Sequence, residues 1–488
     1  EDAVYILVGE IVKALDNGKG RRGAAELAGH WASTAQCDLS EHTSSLLTAA
    51  LENLSDADEE FAALCWAAVK AVATAIPKEV APTYVRCVKD AVGTARERQL
   101  RKRNGIRTVA GLCLPKALAP LLPIYLQGVL QGSSAELREL AAEGLGELVE
   151  CTDEATLRPF VVQITGPLIR IIGDRFPWQI KAAILNTMGL LIRKAGLGLK
   201  PFVPQMQTTF MKCLNDPAQQ VRHSAARNMG ALSKMSARVD QLAADLTQSV
   251  TSTSDPQVRY AFLEALQQLL RHSATRLSPA TVASVGSGLE AFLSPTPINF
   301  EDRSMLADCI GEWARVASDE ELKRTLGAAL TLGGAAKGDV NARHMAARTL
   351  QAICAVAYGR VNDLEVVPKL VVGINKCATD SDISIKLAAA RAAGRLVVAE
   401  MKASEGESAP SLSPLCPALV ALTGPDQRSE VQRASMAALR AASRYGAAAM
   451  EPHLAELIPS LCSLVGAVQG PLKMAAERTL AATLQLGE

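Results

Sequence analysis

Aromatic residues are scarce in this sequence, at 4% of its 488 residues, although 49% of the residues are apolar. Alanine and leucine therefore supply most of the apolar surface, and both favour helices that pack closely. Net charge is also nearly absent, because 51 Lys and Arg balance 50 Asp and Glu. This balance argues against a general binder of nucleic acid or of membrane surfaces, which would show a basic excess.

The eleven cysteines lack the spacing of a metal site, since the sequence contains no CxxC motif and no Cys/His cluster. Most lie inside apolar runs, such as Cys65 in AALCWAAV and Cys309 in LADCIGEW. We interpret them as reduced core residues of a cytoplasmic protein. The most apolar stretch, residues 112–130, contains Lys116 and three prolines, so we expect no membrane span. The chain opens inside a helical pattern without an initiator Met, which suggests a fragment of a longer protein.

Signatures of catalysis are missing as well. The sequence has no Walker A loop, no GxSxG or HExxH motif, and no dinucleotide-binding fingerprint after a strand. The six histidines are scattered, and we expect His223 and His344, which each follow a basic residue of the repeat described below, at exposed positions. We therefore predict no enzyme, no catalytic residue, no metal, no cofactor and no small-molecule substrate.

What the sequence does contain is one pattern that recurs along almost its whole length. A turn, often with Asp, precedes an apolar anchor residue, a basic residue usually follows the anchor, and small or apolar residues come four, five and eight positions after it. Copies include DPAQQVRHSAARNMGAL around Val221 and PWQIKAAILNTMGLL from Ile180. Successive anchors from Leu137 to Leu472 lie 37 to 46 residues apart. An earlier copy at Phe61 precedes Leu137 by two periods, with a degenerate copy between them.

These offsets are helical, because residues four and eight apart share one helix face. A second amphipathic segment precedes each copy, as in LKPFVPQMQTTFMKCL at 199–214. Each repeat is therefore predicted to be two antiparallel helices, A and B, and a period of about 40–47 residues with two helices is typical of HEAT repeats. The predicted fold is all-α, a single superhelical solenoid of HEAT or armadillo type over residues 1–488, with about twelve helical hairpins. The Ser/Pro/Glu-rich stretch 401–417 is predicted to be a flexible loop.

A basic residue follows the anchor in most copies of the repeat. In stacked helical repeats such residues usually hydrogen-bond to the turn of a neighbour, and we interpret the set as a ladder of this kind. A row of ligand-binding residues is the alternative. The set comprises Arg138, Lys181, Arg222, Arg259, Arg303, Arg343, Lys386 and Lys473.

A second group of cations lies in RERQLRKRNGIR, residues 96–107. It admits contact with RNA phosphates or with an acidic partner. The same segment could instead be a solvated loop. We favour this interpretation, because no aromatic residue is interleaved to stack on bases. The candidate contact residues are Arg96, Arg98, Arg101, Lys102 and Arg103.

One region resembles a known family in wording, beyond the repeat itself. The segments CLPKALAPLLPIYLQGVLQGSSAELRELAAEGLGELVECT, LRPFVVQITGPLIRIIGDRFPWQIKAAIL and LKPFVPQMQTTFMKCLNDP resemble the C-terminal part of the general control non-derepressible one family. Its members are very large HEAT-repeat activators of the general control kinase. The resemblance is closest over residues 110–235, and we find no counterpart of the family's elongation-factor-three-like segment.

This resemblance implies a role in translation control. Family members ride on translating ribosomes and, during amino-acid starvation or ribosome stalling, enable the kinase to phosphorylate the α subunit of initiation factor two. Their C-terminal region binds the N-terminal RWD domain of the kinase. The chain would accordingly be a scaffold that docks this domain, with ribosome binding residing in the full-length protein.

The resemblance also implies a docking residue, because an arginine in the family's C-terminal region is needed for kinase binding. The shared block GPLIRIIGDRF offers Arg170 and Arg175. Asp174 is expected to mark the turn between the A and B helices, close enough to pair with Arg170, and Trp178 opens the next helix. Since arginine often anchors interfaces by bidentate contact with carboxylates, we nominate these four residues as the partner-binding set.

Two other functions stay open at this point. The cations of 96–107 would suit a HEAT scaffold that contacts the ribosome or RNA. A transport or phosphatase-type HEAT adaptor would share the period of the repeat but not the ITGPLIRIIGDRF wording.

Overall fold

The computed structural model describes residues 2–16, 20–34, 40–102, 107–172, 176–293, 300–334, 339–363, 365–403, 411–445 and 450–485. The chain forms two compact units, Glu1–Ala237 and Arg238–Glu488. Every regular element within the described ranges is helical. The prediction of an all-α fold is therefore confirmed.

The first unit contains twelve α-helices in its described part, with short 3-10 turns between some of them. They are α1 Asp2–Asp16, α2 Arg21–Thr34, α3 Thr43–Glu52, α4 Glu59–Ala75, α5 Val85–Lys102, α6 Leu122–Gln131, α7 Ala135–Cys151, α8 Glu154–Leu157, α9 Val161–Ile171, α10 Trp178–Ala195, α11 Val203–Cys213 and α12 Gln219–Ser233.

The described part of the second unit continues the same alternation. Its helices are α13 Val239–Ser252, α14 Pro256–Ser273, α15 Pro279–Glu290, α16 Phe300–Trp313, α17 Asp319–Leu332, α18 Val340–Val356, α19 Tyr358–Asp363, α20 Val367–Ala378, α21 Ile383–Ala403, α22 Leu412–Ala421, α23 Ser429–Tyr445, α24 Leu454–Ala467 and α25 Gly470–Leu484.

The helices pair as the repeat pattern predicts. In the second unit each A helix packs on the B helix that follows it, and the B helices α14, α16, α18, α21, α23 and α25 stack side by side in chain order. In the first unit α7, α10 and α12 form the same kind of row, with α6, α9 and α11 as their A partners. The described ranges hold eleven such pairs and one irregular repeat, so the prediction of HEAT-type repeats, about twelve in number, is confirmed.

The irregular repeat lies between α4 and α6, where the sequence predicts a degenerate copy of the usual pair. Its long helix, α5, packs against α3 on one side and α7 on the other. The usual partner helix is replaced by 3-10 and other turns, of which Ala110–Cys113 packs on α4. Pro115 and Pro120 explain the replacement, because proline inside a helix removes a hydrogen bond and clashes with the preceding turn. Lys116, at φ 60°, reverses the chain between them.

A carboxylate in the turn of one repeat receives the basic residue of the repeat before it. Asp216, in the turn before α12, accepts hydrogen bonds from the backbone N–H of Ala218 at 2.9 Å and from Lys181 Nζ on α10 at 2.8 Å. Both charged side chains are buried. Asp380 has the same double role before α21, where it accepts from Arg343 Nε of α18 at 2.7 Å. The turn and its neighbour are thereby held by one group.

Of the six remaining basic residues, three confirm the ladder interpretation by reaching the next repeat, and two bond within their own turn. Some reach the next repeat: Arg259 pairs with Asp302 at 3.6 Å, Arg303 donates to Asn341, and Lys386 donates to Gln427 at 3.0 Å. Others close their own turn through backbone carbonyls, as Arg138 does to Gly132 and Arg222 to Asp216 and Pro217. The ladder also extends to α2, whose Arg21 and Arg22 donate to Asp56 and Asp58.

Cations also tie the far ends of neighbouring helices. Lys194 Nζ, near the end of α10, donates to the carbonyls that terminate α7, at Val149, Glu150 and Thr152. Arg360 donates in the same way to the carbonyls of Arg315 and Ala317 beyond α16. The last carbonyls of a helix lack intrahelical donors and carry partial negative charge, so a cation satisfies both needs.

Close packing of the repeats depends on small residues. Gly144 of α7 lies beneath the buried ring of Tyr125 of α6, and a Cβ there would approach the ring to 2.4 Å. The paired alanines of the pattern, such as Ala141 with Ala142 and Ala225 with Ala226, are fully buried. Because glycine and alanine have little or no side chain, two helices can approach closely at these positions. Dense packing of this kind supplies much of the dispersion energy of a core.

Two expectations need correction. The prediction of a loop over 401–417 is wrong for residues 401–403, which end α21, and for residues 412–417, which begin α22; residues 404–410 lie outside the described part of the chain. His223 is exposed as expected, whereas His344 is 3% exposed. Burial, with smaller contributions from Arg303 and Arg348, lowers the pKa of His344 to about 4. The same position of the repeat is covered in one unit and open in the other.

The cysteines follow the expected pattern over the described residues. Ten are free thiols, seven of them buried, and Cys462 is exposed. Burial raises the pKa of Cys65 and of Cys151 to about 12, which keeps both thiols protonated and unreactive. None of the described helices combines the length and the apolar character that crossing a bilayer requires.

Removal of a ladder cation is expected to destabilise the first unit. Lys181→Met leaves the Asp216 carboxylate buried without its counter-ion, at a cost of about 3–5 kcal/mol. Asp216→Asn keeps the acceptor for Ala218, so the double variant should recover most of that loss. Urea unfolding followed by circular dichroism measures the cycle. Arg86→Met, in the exposed pair with Glu136, should cost about 0–1 kcal/mol; an equal cost for Lys181→Met would contradict the ladder's role.

Burial of His344 predicts that acid weakens the second unit. The unfolded histidine binds a proton below about pH 6.5, whereas the folded one does so only near pH 4. The stability from the neutral buried form is thus present above about pH 6.5 and lost as the pH falls towards 4, by about 3 kcal/mol in total. Urea unfolding of the second unit across this range should show a flatter dependence for His344→Gln. His223→Gln, at an exposed site, should leave the slope unchanged.

Candidate docking surface

The helix α9 carries the first nominated residue and has two distinct faces. Ile164, Leu168 and Ile171 point into the core and are nearly fully buried. Val162 and Arg170 are exposed, eight residues apart and therefore on one face. Val162 is 65% exposed, which is unusual for a β-branched apolar side chain in a regular stack. The exposed face of α9 is thus apolar at one end and cationic at the other.

Gly166 lies midway between these two residues on the same face. A Cβ at this position would meet no atom within 4 Å, so the glycine faces open space rather than a close neighbour. The next residue, Pro167, has no backbone N–H and so cannot donate to the carbonyl of Gln163. In the middle of the exposed face, Gly166 therefore leaves open space above the helix, and the carbonyl of Gln163 lacks its usual helical donor.

The corner after α9 is held by the neighbouring repeat. Arg138, on α7, donates from Nε to the carbonyl of Gly132 at 2.9 Å. Its guanidinium lies 5.2 Å from the centroid of the Phe176 ring, a cation–π contact that fixes the start of the next helix. Trp178 then opens α10 and is 42% exposed. This side chain therefore keeps a large part of its ring available to solvent.

The four nominated residues divide as follows. Arg170 is exposed and forms no hydrogen bond or ion pair with any other residue that the structure describes. Trp178 is partly exposed near the same corner. Asp174 and Arg175 lie outside the described residues, as does the expected pairing of Asp174 with Arg170. Sequence reasoning did not identify Val162 and Gly166. Their positions were nevertheless readable, because Val162, Gly166 and Arg170 follow one another at intervals of four and so share one helix face.

The basic cluster 96–107 is mainly helical, and its interpretation as a loop is wrong for residues 96–102, which end α5. Arg96 pairs with Glu147 of α7 at 2.8 Å, and Arg98 pairs with Glu52 of α3 at 2.8 Å. Burial raises the pKa of the Glu147 carboxyl, and Arg96 opposes that rise. These two cations fix α5 between its neighbours. Arg103 lies outside the described residues.

The other cations of the cluster are placed differently. Arg101 makes only an exposed contact of 3.7 Å with Glu97 on its own helix. Lys102 is the last residue of α5. Arg107 pairs with Glu150 at 2.6 Å. Contact of this segment with RNA or an acidic partner stays a prediction, with Arg101 the cation least engaged by α3 and α7.

No metal centre is formed by the residues in the described ranges, because no three or more His, Cys, Asp or Glu side chains gather with suitable geometry there. The open surfaces are grooves between parallel helices with alanine-rich floors, such as the one of about 1000 Å³ between α2 and α4. An arrangement of this kind suits recognition of another polypeptide.

Comparison with known proteins gives consistent matches. A family model for "Stalled ribosome sensor GCN1-like, HEAT repeats" matches residues 1–116, and one for "GCN1-like, C-terminal HEAT repeats" matches 343–488. Together they cover more than half of the chain. A general HEAT-repeat model matches 207–236. The region of closest wording, 110–235, lies mainly between the two GCN1-like matches.

Relatives match over longer stretches. Protein ILITYHIA of Arabidopsis thaliana is 34% identical over 492 residues, covering the whole of this chain and 18% of the relative. The eIF-2-alpha kinase activator GCN1 of Dictyostelium discoideum is 32% identical over 385 residues, covering 78% of this chain and 14% of the relative. The chain thus spans less than a fifth of the length of these relatives. A crystal structure of importin β superposes with a TM-score of 0.54 at 13% identity, covering 98% of this chain and 65% of importin, which shows the fold alone.

The ion pairs of α5 lead to a test of the basic cluster. Arg98→Gln removes the contact with the Glu52 carboxylate and a hydrogen bond to the Glu52 carbonyl. It should destabilise the first unit by about 1–3 kcal/mol, the range for hydrogen bonds to charged groups. Arg101→Gln, its matched control, should change stability by less than about 0.5 kcal/mol. Urea unfolding measures both. Unchanged stability in Arg98→Gln would show that the contact with Glu52 does not stabilise the fold, and this side chain would then be available to bind an external phosphate.

Proposed function

Since this chain belongs to the GCN1-like family of HEAT-repeat proteins, we propose that it is a scaffold that docks the N-terminal RWD domain of the general control kinase. By holding the kinase, it promotes phosphorylation of initiation factor two α when ribosomes stall during amino-acid starvation. Two features of the family support this proposal. The Dictyostelium relative is named as a kinase activator, and the family is described as a stalled-ribosome sensor.

The observation that carries the proposal is the exposed face of α9. Arg170 has no partner among the described residues, whereas most ladder cations of the repeats are engaged by a neighbouring turn. The face carries an exposed guanidinium at one end and an exposed apolar side chain, Val162, at the other, and Trp178 is partly exposed at the start of the next helix; this composition is typical of an interface centre. Arg175 and Asp174 complete the proposed set, from the sequence alone.

The rigid setting of this face favours docking. Its core side is packed on α10 and its corner is fixed by Arg138 over Phe176, so little ordering entropy is lost on binding. Arg170, presented on a packed helix, can then meet a carboxylate of the partner through two parallel hydrogen bonds. The activity we propose is therefore tethering in the cytoplasm, without a cofactor, a membrane or a small-molecule substrate, while ribosome binding belongs to the full-length protein.

The ribosome-contacting alternative has weaker support. Arg96 and Arg98 are paired with Glu147 and Glu52, and removing them from these carboxylates to reach a phosphate costs the energy of the pairs. The transport-adaptor alternative has only the common architecture of HEAT repeats in its favour.

Binding of the isolated RWD domain to the full chain tests the proposal. Arg170→Ala with Arg175→Ala should weaken binding by about tenfold to a thousandfold, the effect of losing an interface arginine worth about 1–4 kcal/mol. The two single variants identify which arginine matters. Arg170→Lys should restore the charge but not the fork-shaped contact, and so recover only part of the affinity. Isothermal titration calorimetry gives the affinities.

The control is Arg158→Ala with Arg227→Ala, which removes two exposed arginines of the same unit. It should bind the RWD domain as the unaltered chain does. Thermal unfolding should be nearly unchanged in the variants, since Arg158, Arg170 and Arg227 are exposed. Full-strength binding by the Arg170/Arg175 double variant would place the docking site elsewhere.

A further inference from the structure

Six arginines line the B helices near the end of the second unit, and we name this surface the arginine groove. Five are exposed and Arg440 is half-buried. None forms a hydrogen bond or ion pair with another residue in the described ranges. They are Arg391 and Arg395 of α21, Arg433, Arg440 and Arg444 of α23, and Arg478 of α25.

At the corresponding positions two other B helices, α7 and α16, carry acidic residues that are neutralised by cations of their neighbours. Six and ten residues after the anchor Leu137 stand Glu143 and Glu147, which pair with Lys89 at 3.0 Å and Arg96 at 2.8 Å. The same offsets from Asp302 give Asp308 and Glu312, which pair with arginines of neighbouring helices. After the anchor Ile385 these offsets give Arg391 and Arg395. The sign of the charge at these two positions is therefore opposite in α21 to that in α7 and α16.

The next helix does not compensate this reversal. Six and ten residues after its anchor, Val431, α23 carries Ala437 and Ala441, where a carboxylate would have been needed for a pair. Glu430 is the acidic residue that lines the groove between α21 and α23. Arg348 of α18 borders the same face; burial lowers the pKa of its guanidinium, and Arg391 and Arg395 lower it further. The field of the uncompensated cations thus reaches a neighbouring repeat.

The groove has room for a polypeptide. A cavity of about 630 Å³ lies between α21 and α23, and one of about 720 Å³ lies between α23 and α25. Small residues form much of the floor, and at Gly394 the helices approach so closely that a Cβ would lie 2.9 Å from that of Ala438. Guanidinium groups stand at the rims, and Arg391 with Arg395 and Arg440 with Arg444 are each one helical turn apart.

We propose that the arginine groove binds an acidic polypeptide segment in which Asp or Glu alternates with small residues. Arginine forks match carboxylates in bidentate geometry, and the alanine floor lets a peptide lie close to the helices where its intervening side chains are small. A nucleic acid fits less well, because no aromatic residue lines either cavity to stack on bases.

This site is independent of the proposed kinase docking, because it lies in Arg238–Glu488 whereas Arg170 lies in Glu1–Ala237. The test uses the full chain and a fluorescein-labelled peptide of repeated Glu-Glu-Ala, with binding measured by fluorescence anisotropy. Arg391→Gln/Arg395→Gln/Arg433→Gln should weaken binding about tenfold or more. Arg440→Gln/Arg444→Gln/Arg478→Gln, in the second cavity, should weaken it as well.

The matched control is Lys200→Gln/Lys212→Gln/Arg227→Gln, which removes three exposed charges from the first unit and should change the affinity by less than about twofold. The first triple variant should still bind the RWD domain, so that failure of either proposal can be told from failure of the other. Three outcomes would overturn the arginine groove as a peptide site: no binding of the acidic peptide, equal weakening by the control, or tighter binding of single-stranded RNA with a steeper dependence on salt.

Discussion

The structure depends on carboxylates that lie in the turns between paired helices. Each of these carboxylates accepts a hydrogen bond from a backbone N–H at the start of its own B helix or in the turn before it. Each also accepts a hydrogen bond from a cationic side chain of the preceding repeat. The carboxylates are those of Asp58, Asp216 and Asp380. One side chain thus terminates a helix and joins two repeats. Since a helical pair buries too little surface to stand alone, these contacts help to convert marginal hairpins into a cooperative stack. Short ladder contacts of this kind also set the spacing of the B helices.

This use of charge determines which cations are free for other molecules. Lys181 and Arg343 are buried against their carboxylates, and Arg96 and Arg98 hold α5 between α3 and α7. In a chain with almost equal numbers of acidic and basic residues, an arginine without a partner is therefore informative. Arg170 and the arginines of the groove lack a partner among the described residues and also share a surface with apolar groups, Val162 on α9 in one case and alanine-rich cavities in the other. Because the ladder engages many of the cations within the stack, the cations that it leaves unpaired are available to bind another molecule.

The irregular repeat shows how local chemistry interrupts the pattern. Pro115 and Pro120 prevent a long helix where the period requires one, and turns pack on α4 in its place. α5 then contacts α3 and α7 directly, and its arginines become structural. The sequence alone suggested a solvated loop there, because a cationic stretch without apolar periodicity carries no sign of the acidic helices that flank it in space.

Period, helix pairing, ladder cations and the lack of catalytic motifs could all be read from the sequence, because they rest on spacing along one chain and on neighbours one repeat away. Tertiary structure alone decided burial. His344 and His223 occupy the same position of the repeat, yet only the first is covered; Val162 is apolar, yet faces solvent. Periodicity predicts which residues share a helix face, but only the packing of one repeat on another determines whether that face is filled or left open to a partner.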